Sequence, residues 1–480
     1  MSKRKLILSV LINGVLLSSL YVAGAVDVAP GSGNGVAIGT GSNAPKAENV
    51  AIGKGATIEY SGGVGQPSTG DIVIGGKAHI NNYIDQGGGI AIGANSFVEN
   101  MVGGMERAFD FNQAGYKNLF GIPFGLPKNP EKMVTGMAIG QNTYARSGSI
   151  MLGTHNYKGK LGDVDVDSSN TKNNNGHLFS TTIGANSYSN GLFSSIVGAY
   201  SIASSGYPTT TADATKNFGA TITGSLNSIE SASASSQYSG VANSIVGTAN
   251  RTFNSNGSLV FGAGNEITNS VADISAPSSG GNSAKELAEK LRSVVKNSNG
   301  GGSTMAFGSG NKADYTLRSA LMGVNNTLTG SKGNESTNTM LTGFHNTADK
   351  VFNTTVIGSE NTVTNSKNSL VMGDNREVKD ENHAVLIGST DSKTTTSVNN
   401  AVAVGHNTNV TVEGGVALGS ESKSTVAAGA VGYDPSTKAQ STNTDSTWKA
   451  TKSAVSVGDA NNNITRQITS VAAGTKDTDA

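Results

Sequence analysis

The residues of this chain that could do chemistry are few and widely separated. Asp163, Asp165 and Asp167 have the alternating spacing with which a calcium-binding loop begins, because Ca²⁺ prefers carboxylate oxygens. Such a loop also needs glycine at its sixth position and glutamate at its twelfth, where this chain has Ser168 and Asn174. An alternating strand with one polar face therefore fits the segment better than a metal site does.

A second acidic group raises the question of glycosidic-bond hydrolysis, which uses two carboxyl groups about 5–10 Å apart. This group consists of Glu377, Asp380 and Glu381, and the basic residues Arg376 and Lys379 lie among its members. That mixture of charges favours a solvated turn. We therefore predict no catalytic residue, no metal site and no cofactor.

The composition excludes further classes of function. None of the 480 residues is cysteine, so the chain forms no disulfide and has no thiol nucleophile. Its 34 basic and 34 acidic side chains cancel, which argues against binding nucleic acid through bulk charge. Glycine accounts for 64 residues, and an excess of this kind calls for a search for internal repeats.

Residues 1–25 have the pattern of a secretory signal peptide. A basic start at residues 3–5 is followed by an apolar stretch at residues 6–22 and by a cleavage site of small residues at 23–25. An N-terminal membrane anchor is the alternative, and the short apolar stretch argues against it. We expect the mature chain to be exported.

The glycines mark a repeat of 14 or 15 residues. A short apolar run that ends in glycine recurs through the chain, with a spacing of 15 from Gly343 to Gly358 and of 14 from Gly39 to Gly53. Glycine tolerates the positive φ of a tight turn, so we predict that it ends one strand of each coil and that a second strand follows. One coil cannot bury a core, whereas stacked coils can. The repeat therefore predicts an all-β parallel solenoid, or β-roll.

Asparagine follows the glycine at a variable distance. Asn361 lies three residues after its glycine and two before the apolar Val363, whereas Asn95 and Phe97 each lie one residue closer to their glycine. We predict from this difference that the turn is one residue shorter in the second case. A shorter turn would account for coils of 14 residues.

The first strand of each coil is apolar on both faces, because alternate residues of a strand point to opposite sides. A strand that is apolar on both faces is buried on both faces. One face fills the coil, so we expect the other face to contact further copies of this chain. The residues predicted in this contact are Ala37, Ala91, Val356, Val371 and Leu386.

These repeats, such as Val-Ala-Ile-Gly at residues 36–39, resemble the head repeats of YadA-like trimeric autotransporter adhesins. The C-terminal segment 454–480, which begins Ala-Val-Ser-Val-Gly, resembles the neck motif of that family. Within residues 432–449, two short segments resemble the region that precedes this neck. The resemblance covers most of residues 30–480.

The resemblance implies a homotrimer of left-handed parallel β-rolls. It assigns residues 26–430 to the head, 431–452 to a connector and 453–480 to the neck. A stalk and an outer-membrane anchor follow the neck in the family, so we expect the sequence ending at Ala480 to be a truncated head. Only that anchor would contact a membrane.

The resemblance also implies type V secretion, display at the bacterial cell surface and outer membrane, and a role in virulence. The head would attach, without catalysis, to a host receptor such as a CEACAM-type immunoglobulin protein or to a matrix protein. The alternative functions are an architectural surface spacer and a polysaccharide-active β-helix enzyme.

Insertions interrupt the coil spacing at about 99–135, 157–178, 203–218 and 270–304. Loops on a rigid scaffold often carry binding residues, so we expect specificity to lie in these insertions. The first contains five aromatic residues for which contact with a neighbouring subunit is the alternative role. These receptor-binding candidates are Phe109, Phe111, Tyr116, Phe120 and Phe124.

The last insertion predicts one short helix. Ser283 and Glu286 have the spacing of a capping box, and Leu287, Leu291 and Val294 belong to one apolar stripe. We expect this stripe to pack on the roll. Association of three such helices and contact with a ligand are the alternatives.

Overall fold

The computed structural model confirms the predicted class, since the chain is built from long parallel β-sheets and contains one α-helix among the described residues. It divides into two compact units, whose described parts lie within residues 29–156 and 179–476. The described residues are 29–60, 70–82, 88–100, 135–146, 148–156, 179–189, 191–205, 217–231, 239–271, 274–277, 283–298 and 302–476.

In the first unit, each coil contributes one strand to a front sheet and one to a back sheet. Neighbouring front strands pair in parallel and in register, with Ala37 opposite Ala51 and Ala91 opposite Ala138. The front strands are Val36–Ile38, Val50–Ile52, Ile72–Ile74, Ile90–Ile92, Met137–Ile139 and Ile150–Thr154. The back strands are Ser32–Gly33, Asn43–Ala44, Thr57–Tyr60, His79–Asn82, Phe97–Asn100 and Tyr144–Arg146.

The second unit repeats this arrangement over more coils. Its front strands are Thr181–Ala185, Ser195–Val197, Thr221–Ser225, Ser244–Thr248, Leu259–Ala263, Met305–Ser309, Ala320–Val324, Met340–Phe344, Thr355–Ser359, Leu370–Met372, Val385–Ile387, Val402–Val404, Val416–Leu418 and Val455–Ser456. Its back strands are Tyr188–Ser189, Ile202–Ser205, Ser228–Ser231, Arg251–Phe253, Glu266–Thr268, Lys312–Asp314, Thr327–Thr329, Thr347–Asp349, Thr362–Thr364, Arg376–Lys379 and Thr394–Thr396.

Short elements complete the second unit. Two pairs of short strands are parallel and one pair is antiparallel. The parallel pairs are Thr316–Leu317 with Ser336–Thr337 and Asn409–Val410 with Lys423–Ser424. The antiparallel pair is Tyr433–Asp434 with Ala439–Gln440, and a 3₁₀ turn covers Ala460–Asn462.

Glycine lies at the C-terminal end of the front strands, close to the predicted position: it directly follows strands such as Val36–Ile38 and is the next-to-last residue of strands such as Ser244–Thr248. Gly247 shows why no other residue fits, since its φ is 134° and a Cβ there would lie 1.8 Å from the carbonyl oxygen of Gly262. Backbone conformation and lack of space therefore exclude side chains independently. The glycines that share this position and a positive φ are 39, 53, 75, 93, 140, 153, 184, 198, 224, 247, 262, 308, 323, 343, 358, 373, 388, 405 and 419.

The predicted shortening of the turn after the glycine is wrong. A buried back-strand residue lies five positions after the glycine in both kinds of coil, as shown by Val98 after Gly93 and by Val363 after Gly358. Phe97 precedes the buried position and is only partly buried. The additional residue of a 15-residue coil lies instead on the return from the back strand to the next front strand.

The core of each unit lies between its two sheets, and this corrects the predicted subunit contact. Ala91, Val356, Val371 and Leu386 have no exposed surface within the single chain, and Ala37 is partly buried against the core of the first unit. The four fully buried side chains line the inside of the roll, so they cannot contact a partner chain. The predicted assignment of the two strand faces is therefore reversed.

The predicted helix, α1, covers Ala284–Asn297, and the Ser283 hydroxyl accepts a hydrogen bond from the Glu286 N–H (3.2 Å). Leu287 is buried, whereas Leu291 and Val294 are half-buried. Leu291 lies next to the roll, because a Cβ built on Gly219 would be 3.7 Å from its Cδ2. Packing of the whole stripe on the roll stays a prediction. The remaining apolar residues of the predicted stripe, Ala284, Ala288 and Val295, are exposed.

Candidate functional site

The five aromatic residues predicted to bind a receptor lie within residues 101–134, outside the part of the chain that the structure describes. Their role stays a prediction. The described residues on either side show where this segment is attached. The chain leaves the back sheet after Asn100 and reaches the next front strand through Thr135 and Gly136.

Three segments are attached at one corner of the first unit, where a back strand ends and the next front strand begins. Tyr60 is opposite Asn82 and Asn82 is opposite Asn100, so the three strand ends lie on adjacent coils. We call this region the loop corner. The segments attached there are 61–69, 83–87 and 101–134.

A buried carboxylate connects the first two segments at the loop corner. Asp71 is fully buried, and its Oδ2 accepts hydrogen bonds from the Tyr60 hydroxyl (2.7 Å) and from the Asn82 amide (2.9 Å). Its Oδ1 accepts a hydrogen bond from the backbone N–H of Gly89 (2.9 Å). Both carboxylate oxygens are therefore acceptors for groups at the segment ends.

Two further hydrogen bonds extend this chain of contacts to the third segment. The Asn100 amide donates to Asn82 Oδ1 (2.9 Å), and Asn100 Oδ1 accepts from the backbone N–H of Gly136 (2.9 Å). Asn82 and Asn100 have no exposed surface. Asp71, Asn82 and Asn100, which we call the Asp71 relay, thus connect groups at the ends of all three segments.

Burial raises the pKa of Asp71 above its usual value of 3.8. The hydrogen bonds from Tyr60, Gly89 and Asn82 and the charge of Lys46 oppose this shift, because they stabilise the charged form. The three donors identify the carboxylate as the form that fits the local geometry.

A buried ion pair lies next to the attachment of the third segment. Arg146 Nε lies 3.5 Å from Glu99 Oε2, and both side chains are almost fully buried. The Tyr144 hydroxyl donates to the same Glu99 oxygen. Removing one partner of a buried pair leaves an uncompensated charge, so this contact favours one fixed position for the strand end.

The outward side of the front sheet is an exposed apolar face in each unit. It consists of the residues on either side of the buried middle position, and Phe261 is 55 % exposed while its ring stacks on Phe307 with centroids 6.4 Å apart. Exposed members in the first unit are Val36, Ile38, Ile74 and Ile150. Exposed members in the second unit are Ile183, Val197, Phe261, Met305, Met322, Met372, Leu418 and Val455.

An insertion of the second unit also leaves the coils between a back strand and the next front strand. Ser270 and Thr304 flank the excursion that contains α1, and their hydroxyl groups are 2.7 Å apart. The Ser270 hydroxyl donates to the carbonyl oxygen of Thr316, and the Thr304 hydroxyl lies 3.3 Å from the same oxygen. A small cluster of buried hydroxyl groups thus closes the base of this insertion.

A buried column of asparagine side chains runs beside the front-strand glycines of the second unit. In each step, one Oδ1 accepts from the backbone N–H and the side-chain amide of the next asparagine, as Asn250 does for Asn265 (both 3.0 Å). Each amide also donates to a glycine carbonyl one coil further on. The members of this Asn ladder are 227, 250, 265, 311, 326, 346 and 361.

Arg376 occupies the position after the last asparagine of the ladder. Its backbone N–H donates to Asn361 Oδ1 (2.9 Å), and its guanidinium donates to the carbonyl oxygens of Gly388 (2.7 Å) and Thr408 (2.6 Å). Arg376 has no exposed surface, and burial lowers its pKa. Its long side chain therefore joins the ladder to the next two coils.

The predicted solvated turn at residues 377–381 is correct only in part. Glu381 has no exposed surface and accepts a hydrogen bond from the Ser369 hydroxyl (2.9 Å). Burial raises its pKa above the usual 4.5, although the contacts with Ser369 and Ala384 oppose the shift. Asp380, in contrast, is an exposed turn residue that accepts from the Asn365 amide (2.9 Å).

Within the described ranges, no three histidine or acidic side chains are grouped closely enough to hold a metal ion. The calcium-like motif at residues 163–167 lies outside those ranges. Among the helices of the described residues, none has the length and apolar character required to span a membrane.

These features define a parallel β-roll that has an exposed apolar front face and attaches its insertions at one corner of each unit's coils. A stretch of 55 residues, 12 % of this chain, is 51 % identical to autotransporter adhesin BadA of Bartonella henselae. That stretch spans 2 % of the relative. No protein-family model matches the chain. Part of the chain is thus similar to part of an autotransporter adhesin, and membership of the family stays a prediction.

Sequence reasoning missed the Asp71 relay. The signal that could have found it is a common offset, because Tyr60, Asn82 and Asn100 each lie seven residues after a strand-ending glycine and directly before a break in the repeat. Asp71 lies directly before a front strand, where its equivalent on the next coil is Gly89.

Proposed function

We propose that this chain is the head of a homotrimeric autotransporter adhesin, exported by a signal peptide and displayed on the bacterial surface. It attaches to its target without catalysis. The observation that carries the proposal is the apolar outward side of the front sheet, because large apolar faces of this kind mark protein interfaces. The partial similarity to an autotransporter adhesin supports the functional class.

In this proposal, copies of the chain cover one another along their front sheets. Side chains such as Phe261 and Met372 would leave water, and each loop corner would be present three times. Presentation of three weak sites on one particle raises avidity by about 10²–10⁴ over a single site. The target is a host receptor, such as a CEACAM-type immunoglobulin protein, or a matrix protein.

The assembly is tested by placing a charge on the front face. Phe261→Asp introduces a carboxylate into the proposed interface, whereas Thr347→Asp introduces one on the exposed back sheet and is the matched control. Sedimentation should show trimers for the unchanged chain and the control, and dissociated chains for Phe261→Asp. A stable folded monomer of the unchanged chain would contradict the proposal.

The binding role of the first insertion is tested separately. Replacing Phe109, Phe111 and Phe124 by serine should lower attachment to host cells while the trimer persists. Unchanged attachment of that trimer would contradict the receptor role and favour an architectural spacer. The control replaces three exposed apolar residues of the second unit by serine, namely Tyr200, Leu226 and Phe352.

A further inference from the structure

We propose that Asp71, Asn82 and Asn100 are positioning residues that couple the attachment points of three consecutive segments into one unit. The segments are 61–69, 83–87 and 101–134. The coupling itself follows from the hydrogen bonds at the loop corner. Only its consequence for attachment rests on the proposed adhesive function.

The relay has a direction that is set by its two ends. At one end, the backbone N–H of Gly136 requires an acceptor, so Asn100 must point its oxygen towards it and its amide towards Asn82. Asn82 must then point its amide towards Asp71. The Gly136 N–H and the amide groups of Asn100 and Asn82 therefore all donate in one direction, towards the Asp71 carboxylate.

At the other end, an amide cannot replace the carboxylate of Asp71. Its Oδ1 accepts from the backbone N–H of Gly89, and its Oδ2 accepts from Asn82. Since each oxygen faces a donor, an NH₂ group at either position would meet another N–H. A buried donor that loses its acceptor is costly, which makes aspartate the residue that this position requires.

Asp71→Asn should therefore change hydrogen bonds beyond the direct contacts of residue 71. Asn82 can reverse its amide to accept from the new side chain, because its hydrogen bonds with Asp71 and Asn100 both join it to other side chains. Its own donor then meets the donor of Asn100, and a reversal of Asn100 brings two donors together at Gly136. The conflict can move along the relay but cannot disappear.

This reasoning predicts a specific rescue. In the double variant Asp71→Asn/Asn100→Asp, the charge moves to position 100, where both carboxylate oxygens again face donors, from Asn82 and from Gly136. Asn82 reverses, and the amide at position 71 donates to it while its oxygen accepts from Gly89. Each single variant lacks one of these matches, so the pair should be strongly non-additive.

The experiment measures backbone amide exchange of the peptides that contain Gly89 and Gly136, together with cell attachment. Asp71→Asn should raise the exchange rate at Gly89 or at Gly136 by about tenfold, as expected for a lost buried hydrogen bond, and the double variant should restore the original rate. Asn100→Asp alone keeps an acceptor at both glycines and instead brings a carboxylate oxygen against Asn82 Oδ1. Tyr60→Phe removes one donor to Asp71 and creates no donor conflict. As the matched control it should leave exchange at Gly136 unchanged.

The relay is refuted if Asp71→Asn leaves both the Gly89 and the Gly136 amide unchanged, or if the double variant exchanges as fast as Asp71→Asn alone. Failure of a single variant to fold also supports the relay when the double variant folds. If exchange follows the expected pattern and attachment is constant, the relay stands and the adhesive role of these segments is contradicted.

Discussion

Both units bury polar side chains in columns, but the two columns fix their amides in different ways. In the Asn ladder of the second unit, each Oδ1 accepts from a backbone N–H, so each amide has its orientation set locally. In the Asp71 relay of the first unit, the Asn82 side chain is hydrogen-bonded to the side chains of Asp71 and Asn100, and its orientation depends on both neighbours.

This difference determines how far a defect in each column of side chains extends. A defect in the Asn ladder should stay within adjacent coils, because the backbone donor of the next step holds the following amide in place. A defect in the relay can pass from one segment to another. A regular column thus stabilises the roll, whereas an irregular one can make three segments depend on a single side chain.

The largest effect that tests this comparison is expected for Asn311→Ala. It leaves the backbone N–H of Asn326 and the carbonyl oxygen of Gly323 without their buried partners, which should lower the free energy of unfolding by about 2–4 kcal/mol. Denaturant unfolding measures this loss. Asn265→Ala is the matched variant and should cost the same, because its contacts are equivalent.

Amide exchange then shows how far each ladder defect extends. For Asn311→Ala, faster exchange should be confined to the coil that contains Asn326 and its immediate neighbours. Faster exchange several coils away would contradict the stated difference, that defects stay local in the ladder and spread in the relay.

Glu381→Gln should change the free energy of unfolding by a smaller amount. It should stabilise the chain, whereas Asp71→Asn should destabilise it. Asp71 has donors at both oxygens, whereas the raised pKa of Glu381 shows that burial outweighs the contacts with Ser369 and Ala384. Removing the Glu381 charge should therefore stabilise the chain at pH 7 by about 1 kcal/mol.

The pH dependence checks the cause of that stabilisation. A carboxyl whose pKa is raised by folding binds more protons in the folded than in the unfolded state, so its contribution to stability falls as pH rises from 4.5 through the raised pKa. The advantage of Glu381→Gln in thermal unfolding should be present at pH 7 and vanish towards pH 4. An advantage that is constant over this range would exclude charge burial as the cause.

The repeated features were predictable from the sequence because each occurs many times along the chain. Gly343 and Gly358 occupy one structural position, so their spacing alone indicates a strand end and a stack of coils. The two faces of the front strand could not be separated in the same way, since both are apolar. The small side chains of Ala37, Ala51 and Ala91 were the available signal, because the middle position points into a narrow interior.

The relay was not predictable because its members are brought together by the stacking of coils and not by proximity in the sequence. Asp71 and Asn100 are separated by a segment of variable length, so no fixed spacing marks the pair. The wrong prediction of a shorter turn after the glycine has a related origin. Asn95 and Asn361 are the same residue type, but one supports a positive φ and the other forms a ladder, and only the stacked coils distinguish these roles.

The smallest effect concerns this second kind of asparagine. Asn142 is a turn residue of the first unit with a φ of 54°, and its Oδ1 accepts from the amide of Asn95 (3.0 Å) at the exposed surface. Asn142→Ala should cost about 1 kcal/mol, because alanine is strained at positive φ, while Asn142→Gly should be nearly neutral. Equilibrium unfolding measures both. A loss for Asn142→Gly as large as that for Asn311→Ala would mean that exposed turn amides stabilise the roll as much as buried ladder amides do, and the contrast between local conformation and buried hydrogen bonding would fail.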